Sequence, residues 1–263
     1  MSRVLLADLA DLVLPAPCAG CAVERVPMRY GMCGGCVTLL EALRPFRTAP
    51  TPPPPGLPRC VAVGAYQGPL RGALLAYKER GRHRLARPLG MLLAAAVAEL
   101  APRGRPVTLL TVPSTAVAMR ERGGDHMARL AGQAVRRLRG AGWDASAVRP
   151  LRALPRPDSA SLSAAERRIA AESSLRIRTA LIGFRRRATP PGGTLVVVDD
   201  IVTTGATLAA VTRRLREADM QVTGAAVLAA TRLRRASRGS FPAFLPGGTE
   251  RAKGQGSGIR NEG

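Results

Sequence analysis

Aromatic residues make up only 3% of this 263-residue chain: one Trp, three Tyr and four Phe. Few rings are available to stack on bases, so any contact with nucleic acid would rest on backbone electrostatics. Histidine is scarce too, at two residues. His83 has no second metal-ligand candidate beside it and reads as a surface histidine. Long apolar runs are missing: the best, Met91 to Leu100, is about half of the ~20 residues that a membrane-spanning helix needs. The apolar start, Val4 to Leu14, is broken by Asp8 and Asp11. It reads as a short amphipathic helix, not a signal peptide, and points to a cytoplasmic protein.

Lysine is nearly absent and acids are few. Only Lys78 and Lys253 are lysines, so 38 of the 40 basic residues are Arg, against 18 Asp and Glu, for a net charge of +22. A GC-rich genome would write Arg wherever a surface cation is tolerated, which is one reading of the choice of Arg over Lys. It does not account for the deficit of acids, which points to an anionic partner.

Cysteine is sparse but clustered. Four of the five stand as Cys18-x2-Cys21-x11-Cys33-x2-Cys36, with Gly20, Gly34 and Gly35 at the turns. This spacing suits a structural tetrahedral Zn²⁺ site in which thiolates supply all four ligands. Two disulfides are the competing reading, but nothing marks the chain as secreted. Cys60 stands alone and reads as a small core residue.

The chain divides at a proline-rich stretch. Residues 1–48 form an N-terminal helix and the four-cysteine module, 49–58 a stiff linker around Pro50–Pro58, 59–231 the main domain, and 232–263 a basic tail with the composition of a disordered segment. Within the main domain, Cys60–Tyr66 predicts a strand, Gly68–Pro69 a turn and Leu70–Tyr77 a helix. Leu85–Leu100 predicts a helix, Pro106–Pro113 a buried strand, Met119–Gly140 one long helix and Ala147–Leu154 another strand. Ser163–Ser173 predicts a helix opened by a Ser163/Glu166 capping box, and Val222–Ala230 a last strand.

The richest stretch is Thr194-Leu-Val-Val-Val-Asp-Asp-Ile-Val-Thr-Thr-Gly-Ala-Thr-Leu208. Leu195–Val198 suits a strand buried on both faces of a parallel sheet, and Leu208, Val211 and Leu215 recur at helical spacing. Between them, Thr203, Thr204, Gly205, Ala206 and Thr207 form a small, hydroxyl-rich loop at a helix N-terminus, where free amides favour an anion. Asp199 and Asp200 suit the cis-diol of a ribose, directly or through Mg²⁺. The plainer alternative is that the acids cap the helix and Thr-Thr-Gly is a turn.

These residues resemble the phosphoribosyl diphosphate (PRPP) signature of type I phosphoribosyltransferases. The resemblance implies that Asp199 and Asp200 hold ribose hydroxyls while residues 203–207 cradle the 5-phosphate. Purine-salvage members carry an acid where Thr203 stands, so a purine substrate is not implied. The order of the pieces resembles the ComF family, associated with bacterial competence. Further matching pieces are Tyr66-x-Gly68, Lys78, Val112-Pro113, Arg120-x-Arg122-Gly123 and Ser163-x2-Glu166-Arg167. That likeness implies a twisted parallel α/β sheet flanked by helices, with the zinc module at one edge. It also implies that the loop after Val112 holds pyrophosphate, neutralised by Arg120, Arg122 or Lys78. Two functions follow as expectations. One is binding of PRPP or a related ribose 5-phosphate with Mg²⁺, with phosphoribosyl transfer as its chemistry. The other is non-catalytic binding of single-stranded DNA in support of DNA uptake, alongside competence or DNA-processing proteins. The sequence departs from the family where Gly124-Asp125-His126 follows Arg122-Gly123 in place of Phe-Asn-Gln.

Overall fold

The computed structural model describes residues 16–154, 175–178 and 193–231. The expected first helix, the Ser163–Ser173 helix with its capping box, and the basic tail lie outside them. No helix among the described residues is long and apolar enough to cross a membrane.

The chain first forms a short hairpin, β1 (Met28–Arg29) and β2 (Met32–Cys33), followed by α1 (Gly34–Glu41). Then β3 (Phe46–Thr48) pairs antiparallel with β4 (Cys60–Ala65). After it come α2 (Gly68–Glu79), a 3-10 turn (His83–Leu85), α3 (Ala86–Ala98) and β5 (Val107–Thr111). The short α4 (Ala116–Glu121) and α5 (His126–Arg139) lead to β6 (Ala145–Val148). A small antiparallel pair, β7 (Leu151–Ala153) and β8 (Leu175–Ile177), precedes β9 (Thr194–Val202), α6 (Ala206–Arg216) and β10 (Val222–Ala230).

The main sheet has the order β3-β4-β10-β9-β5-β6, with every pair parallel except β3–β4. This is the mostly parallel, helix-flanked sheet expected from the sequence. Its central strands are buried on both faces, which explains the unbroken Val and Ala runs of β9 and β10. Alternation sends Val196 and Val198 into one apolar layer with α2, α3 and α5, and Leu195 and Val197 into another with α6.

From β5 the chain winds outward to β6. From β9 it winds the other way to β10. The turning point of the topology therefore lies between β5 and β9, and in such sheets the crevice beyond the strands' C-terminal ends is where ligands bind.

Several expected elements change shape. Gly68 and Pro69 open α2 and are not a separate turn, since Pro is tolerated in a helix's first turn where its missing N–H costs nothing. The single helix expected over Met119–Gly140 is two. Gly123 (φ +62°) and Gly124 (φ +126°) break it, and the Asp125 carboxylate accepts from the Ala128 N–H at 2.9 Å to cap α5. Arg129 closes the break, donating to the Gly123 carbonyl and lying 3.3 Å from His83 Nδ1. The strand expected over Ala147–Leu154 is split between two sheets.

Candidate functional site

β9 runs further than its apolar core predicts, to Val202, and carries Asp199 and Asp200 within it. Thr111 at the end of β5 is level with Val198, so both acids stand just beyond β5, next to the turn at Val112–Ser114. The loop that follows has exposed Thr203 and Thr204, buried Gly205 and half-buried Ala206 and Thr207. Gly205 takes φ +73°, a left-handed conformation that favours glycine, and opens α6. The Thr204 hydroxyl accepts from the Ala206 N–H at 3.4 Å. A helix of eleven residues thus presents its N-terminus and two exposed hydroxyls at the mouth of the crevice.

Gly205 is tight for a reason the sequence does not show. A Cβ there would come 2.9 Å from Leu57, 3.1 Å from Pro50 and 3.4 Å from Pro54. The proline-rich stretch therefore covers one side of this loop.

The two acids differ sharply. The period of a strand turns neighbouring side chains to opposite faces of the sheet. Asp200 faces the layer of α2 and α5, where it is 6% exposed and its Oδ2 lies 2.6 Å from Lys78 Nζ and 3.6 Å from His126 Nε2. Burial alone would raise its pKa, but the His126 contact and the Lys78 charge outweigh that and hold it well below the ordinary carboxylate range. Asp199 is partly buried, accepts from the Asp200 N–H at 2.9 Å, and makes no ion pair among the described residues. Burial first, and then the adjacent Asp200 charge, push its pKa well above the usual value.

Residues that sequence reading did not assemble complete this cluster. His126 is buried at the start of α5, with Nδ1 3.5 Å from the Ser114 hydroxyl, and its carbonyl accepts from Tyr77 Oη at 2.8 Å. Its only signal was the departure at Gly124-Asp125-His126, because the helix break that brings it inward was not foreseen. Of the three cations offered for pyrophosphate, Lys78 is engaged by Asp200, and Arg122 lies 4.0 Å from Glu79. Arg120 is exposed in the last turn of α4.

The second cluster is the cysteine hub. The ligand atoms of Cys18, Cys21, Cys33 and Cys36 all lie within 4.8 Å of one another, and the Cys21 and Cys33 sulfurs are 3.7 Å apart. A tetrahedral ion with bonds of ~2.3 Å sets sulfurs about 3.8 Å apart, so the four could hold one such ion. Cys18 Sγ accepts from the N–H groups of Gly20 (3.4 Å) and Cys33 (3.2 Å). Its burial raises the thiol pKa, but those backbone donors outweigh burial and lower it to about 6. Cys36 goes the other way, raised by burial and by the neighbouring thiols. The hub sits hard on α2: a Cβ at Gly72 would lie 2.4 Å from the Gly20 carbonyl oxygen. Cys60 is a buried core residue of β4, as expected.

Removing Lys78 leaves Asp200 buried and charged with only His126 beside it. Lys78→Met should destabilise the fold by about 3 kcal/mol at neutral pH. The sign follows from the depressed Asp200 pKa, whose contribution is present above the ordinary aspartate range and is lost as pH falls. Urea unfolding at pH 7 and pH 2 should therefore show a large gap between wild type and variant that narrows only below the ordinary aspartate range; equal gaps would contradict this account.

No curated protein matches the chain. Residues 154–242, which include the loop after β9, match the phosphoribosyl transferase domain family. A phosphoribosyltransferase domain is therefore present, and the matched stretch includes the loop 203–207 and α6.

Proposed function

We propose that the crevice binds PRPP or a related ribose 5-phosphate with Mg²⁺. The observation that carries this reading is the loop 203–207, a hydroxyl-rich turn at the N-terminus of α6 in the mouth of the switch-point crevice. Amides of the first turn and the Thr203, Thr204 and Thr207 hydroxyls would take the 5-phosphate. Asp199 would take the ribose hydroxyls directly. Asp200, turned toward Lys78 and His126, would contribute by fixing the strand end and, through His126, the Ser114 turn. Mg²⁺ would neutralise pyrophosphate oxygens. Asp199 is an oxygen ligand with no competing ion pair among the described residues, and a bound cation would favour the carboxylate that burial and Asp200 disfavour.

The chemistry this supports is displacement of pyrophosphate at C1 of the ribose by a nitrogen nucleophile. The chain's own part is to position the reactants and to offset positive charge developing on the ribose ring. No carboxylate stands at Thr203 to assist a purine, so brisk transfer to purine bases is not expected. Calorimetry with PRPP–Mg²⁺ and with ribose 5-phosphate should show binding to the wild type. Thr203→Val with Thr207→Val should weaken it at least about tenfold, the scale of ~1.5–3 kcal/mol for hydrogen bonds to a charged group. Asp199→Asn should weaken it less. Absence of binding by the wild type would sink the assignment.

The cysteine hub is proposed to hold structural Zn²⁺, because four thiolates and no open position suit that ion and a reducing cytoplasm. Protein purified under reducing conditions should carry one zinc per chain, and Cys33→Ser should lose it and open residues 16–45 to protease. Two disulfides and no metal would refute the proposal.

The arginine excess favours a second reading, in which the same chain binds single-stranded DNA and acts with competence or DNA-processing proteins in the manner of the ComF family. Each phosphate neutralised on a single strand contributes about −0.7 to the slope of log affinity against log salt. A slope of several units with little sequence preference is expected; a flat one would leave codon usage as the account of the charge.

A further inference from the structure

Away from the crevice, the β1–β2 hairpin, α1, α3 and the end of α5 enclose a groove of about 420 Å³. Its floor is apolar. Met32 and Leu40 are buried in it, Leu92, Ala95 and Trp143 line it, and Met91 is 45% exposed there. Its rim is cationic: Arg29, Arg44, Arg103 and Arg137 face a single acid, Glu41. Arg103 lies over the Trp143 ring at 5.9 Å. An apolar floor under a positive rim selects an occupant that is apolar on one side and acidic along its flank.

The chain itself supplies such a segment. Residues 4–14, outside the described residues, read Val-Leu-Leu-Ala-Asp-Leu-Ala-Asp-Leu-Val-Leu, with two acids and no base in a protein where bases outnumber acids 40 to 18. At helical spacing Leu5, Leu6, Leu9, Leu12 and Val13 share one face, and Asp8 and Asp11, three apart, share its flank. The connection is also short. The Pro17 carbonyl accepts from Arg82, and the Ala19 N–H donates to the Gly31 carbonyl at 2.9 Å. The chain thus enters the described structure next to Tyr30 and Met32, which form one wall of the groove.

We propose that residues 4–14 dock in this groove, with their leucines on the apolar floor and Asp8 and Asp11 toward the arginine rim. The amphipathic start of the sequence then completes the face shared by the cysteine module and α3.

The full-length protein tests this, because Trp143 is its only tryptophan and Met91 lies in the groove. Acrylamide quenching of Trp143 and peroxide oxidation of Met91 are compared in wild type, in Asp8→Lys/Asp11→Lys and in Leu9→Asp/Leu12→Asp. Both variants should increase quenching and speed Met91 oxidation, and adding Arg44→Glu/Arg137→Glu to the first should restore protection. Hydrogen exchange on the wild type, which needs no variant to fold, should show slowed amides over residues 4–14. Unprotected amides there, or unchanged Trp143 and Met91 in both variants, overturn the proposal. Protection that grows with protein concentration overturns it in favour of a second copy of the chain.

Discussion

A carboxylate buried at the end of a central strand is tolerable only with a cation against it, and Lys78 provides that cation to Asp200 at 2.6 Å. Three elements far apart in sequence are held by this contact: α2 through Lys78, β9 through Asp200, and α5 through His126 on the same carboxylate oxygen. His126 in turn reaches Ser114 in the turn after β5. The floor at the turning point of the sheet is therefore charged and built from three elements of the chain itself. Asp199 lies on the opposite face of the strand, outside this ion pair.

Much of this was legible in the sequence, for identifiable reasons. The apolar runs of β9 and β10 read as buried parallel strands because nothing polar interrupts them. The loop 203–207 read as the entry to a helix because small hydroxyl residues precede a helical period, and it does open α6. The cysteine pairs read as one hub because their spacing brings four sulfurs together by local turns. What could not be read was direction. The adjacent acids looked like a single paired unit, yet strand alternation sends them to opposite faces, a consequence of β9 continuing to Val202. The break at Gly123–Gly124 was missed because the flanking residues favour helix on both sides. Its effect is long-range, since it turns His126 inward.

The proline-rich stretch is a second case in which composition spoke to stiffness but not to place. Proline fixes the backbone and gives a segment little entropy to lose. Such a segment spans a gap well, but it also makes a good wall. Pro50, Pro54 and Leu57 lie where a side chain on Gly205 would have to go. The loop's glycine is accordingly constrained twice, by a left-handed backbone and by its own chain packed against it.

Helix α2 has two clients. Near its start Gly72 lies directly beneath the backbone of the cysteine hub, and six residues on Lys78 reaches into the crevice. At about 1.5 Å per residue these points are some 9 Å apart along one rigid rod. The cysteine hub and the Lys78–Asp200 contact therefore rest on one and the same helix. A substitution that tilts this twelve-residue rod would move both together.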